Sequence, residues 1–245
     1  MKAMILAAGL GTRLRPLTDR LPKPLLPVGK LPLIHYILFL LRHYGITDVV
    51  INLHHMGEMI RERLEDGRAL GMRITYSEEA TILGTGGGLK KAEWFLKDGN
   101  FILINADILV DLNLDEVLSF HRRRGAVATL VLRRDPEADR YGIIETDDQE
   151  RIRRFLGEPE EVTGSLRPLM FTGVQVLEPT IFQRLPEGVF HPITDTYREM
   201  VRNGEGLFGY ETKGYWLDLG TQDRYERAQE DHRQGRVRFH FLPSD

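Results

Sequence analysis

The sequence predicts an α/β protein: a three-layer, mostly parallel twisted sheet of the Rossmann-like type, with a smaller mixed part in its second half. Three observations carry this. Short apolar runs alternate with segments of helical period through the first half of the chain, the succession that builds βαβ units with helices on both faces of a sheet. The first apolar run, Met4-Ile5-Leu6-Ala7-Ala8, empties into Gly9-Leu10-Gly11-Thr12-Arg13. A later one, Leu103-Ile104-Asn105-Ala106, ends on Asp107. Ligands of such sheets collect at the carboxyl ends of the strands, so the glycine loop and Asp107 are expected to share one cleft.

Taken in order, Lys2–Ala7 reads as a strand and Leu33–Tyr44 as a buried helix closed by Gly45. Val49–Asn52 is a second strand, Gly57–Glu65 a helix, and Arg73–Ser77 a third strand. Gly86–Leu96 begins on glycines and continues as a helix, followed by the apolar strand Phe101–Asn105 and a helix from Leu114 onward. Asp111 and Asp115 are read as caps of that helix. The second half is less regular. Ala126–Arg133 and Tyr141–Glu145 read as strands, and Asp147-Asp148 as a hairpin turn into Arg151–Phe155. Gly157–Pro168, with its glycines, prolines and carboxylates, reads as a loop. Phe171–Leu177 and Tyr215–Leu219 are further strands, and Thr221–Arg233 is a closing amphipathic helix. No internal repeat is visible, and no hexapeptide pattern of the kind that winds a β-helix.

The 245 residues suffice for one large domain, and 1–245 is read as a single one. A formal net charge of −3 argues against a nucleic-acid module. No apolar run reaches the roughly 20 residues of a membrane span. The longest, Leu31 to Tyr44, is interrupted by His35 and Arg42. The start has one lysine and no leader-type apolar region, so the expected location is cytoplasmic. Cysteine is absent, which excludes disulfides and thiolate chemistry. His54-His55 has no spaced partner and is assigned a structural role. His121 and His191 are expected at surface or loop positions.

The residues that carry chemistry are concentrated near the start. Glycines after a strand let backbone N–H groups approach phosphate oxygens, because no Cβ intervenes. Arg13 and Lys23 can neutralise the remaining charge. Two commoner phosphate loops are excluded: Leu14 stands where a dinucleotide fingerprint needs a third small residue, and no Gly-Lys-Ser/Thr follows. Asp107 and Asp218 each end an apolar strand, where a carboxylate is costly unless compensated. Each could hold magnesium, which takes one or two carboxylates, or cap the helix that follows it.

The run Leu-Ala-Ala-Gly-Leu-Gly-Thr-Arg-Leu-Arg-Pro-Leu-Thr at 6–18, followed by Pro-Lys-Pro-Leu-Leu-Pro-Val at 22–28, closely resembles the signature of the sugar-1-phosphate nucleotidyltransferases, or NDP-sugar pyrophosphorylases. The resemblance implies the nucleotidyltransferase fold, with the mixed part binding sugar, and the reaction of an NTP with a sugar 1-phosphate to give an NDP-sugar and pyrophosphate. It implies Mg²⁺ held by Asp107 and Asp218, which fall on the family's Asn-x-Asp and Trp-x-Asp-x-Gly-Thr segments. Arg13 and Lys23 become the catalytic cations. Leu6, Ala7, Ala8, Gly9, Gly11, Thr12, Arg13, Glu79, Gly84 and Thr85 become nucleotide contacts, with Glu78 the neighbouring alternative to Glu79. Asn105, Thr172 and Gly173 become sugar contacts. A glutamate at the base accepts from the N–H of uracil or thymine, or from the donors of guanine, so uridylyl, guanylyl and thymidylyl transfer stay open.

One departure limits the resemblance. Family members often carry Phe-x-Glu-Lys-Pro, whose acid and lysine hold the sugar and its phosphate. Here the run is Phe155-Leu156-Gly157-Glu158-Pro159, so nothing is carried over from that motif. Short bacterial forms such as the N-acetylmuramate-1-phosphate uridylyltransferases also lack it, and the chain resembles them in length and in Gly86-Gly87-Gly88. Many longer members continue into a C-terminal β-helix domain, for which this sequence has no pattern. Glycosyl transfer on a similar fold would want an Asp-x-Asp pair, which Asp107-Ile108-Leu109 does not supply. A non-catalytic nucleotide-sugar binder would be expected to have lost one of Arg13, Lys23, Asp107 or Asp218, and all are present.

Overall fold

The computed structural model describes residues 1–243. They form two compact units, the first made of residues 1–82, 105–112 and those from Gly214 on, the second of 83–104 and 113–213.

In the first unit the strands Lys2–Leu6, Asp48–Leu53 and Arg73–Glu78 lie parallel. Their registers pair Leu6 with Asn52 and Asn52 with Ser77, so the carboxyl ends finish level. Runs such as Val49-Val50-Ile51 are fully buried, as expected for parallel strands covered on both faces. The helix Leu33–His43 is apolar on all sides, and Leu33 through Leu41 are all buried, which suits an interior helix. A three-residue ribbon, Ile108–Val110, pairs antiparallel with Trp216–Asp218. The closing helix Gln222–Arg233 is strongly polar and is held by directed bonds. Tyr225 Oη and Gln229 Nε2 donate to the Pro27 carbonyl at 2.8 and 2.7 Å. Its one buried acid, Asp231, accepts from Tyr215 Oη at 2.7 Å and lies 3.2 Å from Arg236 Nη2.

The second unit is built around one long strand, Arg167–Leu177. Its start pairs antiparallel with Ile143–Thr146 and its end with Phe101–Asn105, while Ala128–Arg133 pairs antiparallel along it from Met170 on. Leu207–Glu211 runs parallel to Ala128–Arg133, and Ile152–Phe155 closes a hairpin with Ile143–Thr146. The hairpin turn is at Asp147, whose Oδ1 accepts from the N–H groups of Gln149 and Arg151 at 2.9 and 3.0 Å. The parallel part of the fold thus lies in the first unit and the mixed part in the second.

Several boundaries differ from the sequence reading. The expected helix Gly86–Leu96 is two, Gly84–Lys91 and Glu93–Leu96, broken at Ala92. The loop ends earlier than Pro168, because Arg167 and Pro168 already pair with Thr146 and Glu145. Pro168 is tolerated there because pairing on the strand's other side starts only at Met170. Helix Leu114–Arg124 is capped by Asn113, whose Oδ1 accepts from Glu116 N at 3.2 Å, and not by Asp111 or Asp115. Strands Ile108–Val110 and Leu207–Glu211 and the helix Ile193–Arg202 were not foreseen. His121 is not at the surface: it is 2% exposed and its Nδ1 lies 2.9 Å from Thr129 Oγ1. Residue 121 falls on the inward face of an amphipathic helix, which its run of following arginines obscured.

Burial of the ring pushes the His121 pKa from 6.5 down to about 4, and burial together with the Arg63 charge does the same to His35 in the first unit. Above pH 6.5 neither ring costs anything, since both are neutral folded and unfolded. Between pH 6.5 and about 4 the unfolded chain binds protons that the folded chain does not, so stability falls. Calorimetric Tm is therefore expected to drop across this window. The fall should be shallower in a His35→Gln/His121→Gln variant.

Candidate active site

The glycine loop leaves the strand Lys2–Leu6 through two fixed backbone groups. The Leu6 carbonyl accepts from Ala106 N at 3.1 Å, and Ala7 N donates to Asn52 Oδ1 at 2.8 Å. Gly11 is left-handed at φ +67°, and a Cβ there would stand 3.1 Å from Thr18 Cγ2. Its carbonyl accepts from Thr18 Oγ1 at 2.8 Å and Leu14 N at 3.0 Å, so glycine is needed to turn the chain. Gly9 is different. A Cβ there would meet nothing within 4 Å, so its bareness serves no internal packing and leaves room above the backbone. The short turn Thr12–Leu14 buries Leu14 and leaves Arg13 exposed.

Lys23 follows in the turn Lys23–Leu25, and its Nζ forms an ion pair with Asp107 Oδ2. Asp107 meets Asp218 through backbone pairing. Ile108 is registered with Asp218, and Leu219 N donates to the Asp107 carbonyl at 2.8 Å. Asp218 is held by Arg224, whose Nη1 lies 2.7 and 3.0 Å from its two oxygens. Gly220 shows how crowded this point is: a Cβ would come within 2.4 Å of Asp218 Oδ2, 3.5 Å of Arg224 Nη1 and 3.7 Å of Arg13 Nη1. Arg13, Lys23, Asp107 and Asp218 are thus brought together in one unit. Arg224, which the sequence reading missed, joins them. Its only sequence signal was a cation in the first turn of the helix after Asp218.

A second buried network lies at the level strand ends. Glu79 is 4% exposed, and its Oε1 accepts from Asn52 Nδ2 at 2.7 Å. Its carbonyl accepts from His54 Nδ1 at 2.7 Å, the structural role expected of that histidine. Glu78 turns outward to Arg61. Asn52 therefore ties the Ala7 amide to the Glu79 carboxylate. A lone asparagine inside Val49-Val50-Ile51-Asn52-Leu53 was the available clue, since a buried amide must find partners.

The remaining candidates, Asn105 excepted, belong to the second unit. Gly84 has φ +72°, and a Cβ there would stand 2.9 Å from the His191 carbonyl, which accepts from Gly86 N and Gly87 N at 2.8 and 3.0 Å. The Thr85 hydroxyl accepts from Ile193 N at 2.8 Å. Thr172 corrects the sequence reading: it is 1% exposed and its Oγ1 donates to the Val131 carbonyl at 2.8 Å, so its side chain is spent inside the sheet. Gly173, at φ +86°, sits in the irregular stretch where pairing shifts between Phe171 and Gln175. Asn105 ends its strand half-buried. Glu158, standing where the resembled family has lysine, is ion-paired to Arg202 and lies 3.9 Å from Arg198 Nε. Among the described residues no group of three or more His, Asp or Glu side chains gathers as a metal cage, and no helix is long and apolar enough to cross a membrane.

A family model described as nucleotidyl transferase matches residues 2–235. The UTP–glucose-1-phosphate uridylyltransferase of Synechocystis sp. is 34% identical over 242 residues, covering 93% of this chain and 62% of that protein. The mannose-1-phosphate guanylyltransferase of Mycobacterium tuberculosis is 32% identical over 232 residues, covering 94% and 64%. The chain therefore spans a little over three-fifths of the length of these relatives. Among solved structures, a Bacillus anthracis protein in complex with sucrose aligns with a TM-score of 0.80 at 26% identity over 94% of both chains. HddC from Yersinia pseudotuberculosis, complexed with GMP-PN, shares the fold at a TM-score of 0.77 and 21% identity, over 94% of this chain and 99% of that one.

The Asn52 network makes a stability prediction. Asn52→Ala leaves the Ala7 amide and the Glu79 carboxylate without this partner, a loss of about 1–3 kcal/mol. Urea unfolding should show a lower midpoint with an unchanged slope.

Proposed function

Because the chain belongs to the nucleotidyl transferase family, we propose that it transfers a nucleotidyl group from an NTP to a sugar 1-phosphate and releases pyrophosphate. The observation that carries this reading is the ribbon that pairs Asp218 with Ile108, next to Asp107, each acid compensated by a cation, with Arg13 alongside.

An oxygen of the sugar phosphate attacks the α-phosphorus in line. The new P–O bond forms as the α–β anhydride bond breaks, and the electron pair leaves with pyrophosphate. A phosphate monoester has its second pKa near ~6, so the nucleophile is ionised at neutral pH and no general base is needed. What the chain supplies is position and charge. Arg13 takes the leaving pyrophosphate, and Lys23 the oxygens of the transferred phosphoryl group. Arg224 orients Asp218, holding both of its oxygens.

Asp107 and Asp218 suit magnesium. They offer two hard oxygen donors with no third acidic or imidazole ligand gathered beside them among the described residues, and magnesium takes one or two carboxylates while leaving its other positions to water and phosphate. When bound, the ion would stabilise negative charge on the phosphoryl oxygens.

The base is assigned to the backbone of Ala8 and Gly9, with Glu79 held by Asn52, and to Gly84 and Thr85. Carboxylate recognition favours uracil, thymine or guanine, matching the uridylyl and guanylyl transfer of the relatives. The sugar is assigned to Asn105 and Gly173, without the Thr172 side chain. The proposed compartment is the cytoplasm.

A pyrophosphate-release screen of four NTPs against a panel of sugar 1-phosphates tests the reading. Turnover should require Mg²⁺ and vanish on chelation. Arg13→Ala should lose on the order of 10²–10³ in rate, as other transition-state donors do, and Asp107→Ala should be silent. Near-normal turnover by Arg13→Ala would overturn its role. Nucleotide binding without any pyrophosphate release would favour a nucleotide-sugar binding protein instead.

A further inference from the structure

The second unit contains a cleft of about 730 Å³ that shares no residue with the candidate active site. Arg133, Arg134, Arg167 and Lys213 line it, against the acids Glu150 and Glu211. This lining carries two positive charges in excess. Local pairing leaves this excess unchanged: Arg133 Nε lies 3.4 Å from Asp135 Oδ2, outside the lining. Glu150 is already ion-paired to Arg124, which lies outside the lining. Glu211 is shared by two guanidiniums, 2.9 Å from Arg134 Nε and 3.9 Å from Arg167 Nη1.

Two buried polar atoms on the same lining have no hydrogen-bond partner: Thr146 Oγ1 and Arg167 Nε. Thr146 is 1% exposed. Buried donors and acceptors are nearly always satisfied, and one left unsatisfied costs stability. Two on one cleft point to a polar occupant. A smaller hollow of about 410 Å³ is lined by Arg134 and Arg167 again, so these guanidiniums are reachable from two sides.

We propose that this cleft binds a small phosphate monoester with a hydroxylated body. A phosphate dianion matches the two excess charges, and guanidinium forks suit its oxygens. Phe120 and Leu169 give the body an apolar wall, and Glu211 supplies an acceptor for hydroxyls. The volume is that of an ordinary small-molecule site. A nucleic acid is disfavoured, since the cations gather in one cleft, faced by acids, on a chain of net charge −3 and do not form a stripe. The proposal does not depend on the catalytic reading.

Calorimetric titration with glucose 6-phosphate, AMP and inorganic phosphate, each at millimolar concentration, tests it. At least one ester should bind, more weakly as salt is raised. Arg134→Gln and Arg167→Lys should each weaken that binding at least ten-fold, while Asp107→Asn leaves it unchanged. Arg134 has a side chain 70% exposed, so its variant should fold, and its pyrophosphate release without ligand should equal that of the parent. Binding of glucose 6-phosphate or of AMP identifies a sugar phosphate or a nucleotide as the source. Thr146→Val should weaken binding without lowering the melting temperature. Absence of binding, binding of inorganic phosphate alone, or binding indifferent to both arginine variants would overturn the proposal.

Discussion

Asp107 and Asp218 lie in segments separated by the whole of the second unit's longer stretch, yet a ribbon of three residues on each side pairs Asp218 with Ile108, and Leu219 N donates to the Asp107 carbonyl. Everything else in the candidate active site depends on that pairing, because two neighbouring carboxylates repel unless something positive holds them. Lys23 and Arg224 do so, one acid each. The cations come from a turn near the start of the chain and from its closing helix, so three remote parts of the sequence must meet before either acid is stable in its place. Partly buried charges tolerate this because each is paired, and removing one partner of such a pair costs more than the pair itself contributes. In the proposed function a divalent cation would relieve the same repulsion.

The glycine loop is anchored in a complementary way. Its rigidity comes from groups around it: Asn52 fixes the Ala7 amide, Ala106 fixes the Leu6 carbonyl, and Thr18 and Leu14 fix the Gly11 carbonyl. Between these anchors Gly9 has empty space where a side chain would stand. A loop held at both ends and bare in the middle presents its backbone without having to reorganise, which is the economical way to meet a phosphate.

The parallel strands of the first unit were legible because each is an apolar run bounded by turn residues, and their ends moved by a residue or two only. The four charged residues were legible because each stands at a strand end or in the loop, where a charge is conspicuous. What was hidden shares a physical cause: it depends on partners far away in sequence. Arg224 looks like any cation on a polar helix until Asp218 is beside it. Thr172, a sugar-contact candidate by resemblance, has its hydroxyl donated to the Val131 carbonyl, a partner 41 residues away. The strand Leu207–Glu211 contains Gly209, a poor strand former, but glycine is required there because a Cβ would stand 2.5 Å from Leu132 Cδ1 and 3.0 Å from Thr146 Cγ2. His121 was misjudged because three arginines follow it, although its own position faces inward.

The division of residues between the units bears on how substrate choice could vary. Arg13, Lys23, Asp107, Asp218 and Arg224 all belong to the first unit, whereas Gly84, Thr85, Gly173 and the altered Gly157-Glu158-Pro159 run belong to the second. In that run Glu158 has its own counter-ions, Arg198 and Arg202, on the helix Ile193–Arg202. A lysine at 158 would face these arginines with like charge, so the replacement of lysine by glutamate and the arginines on the helix form one consistent set. Restoring the lysine alone would therefore repel where the present pair attracts. The acids and cations of the first unit are untouched by that change, so under the proposed function the transfer chemistry would stay constant while the second unit varied.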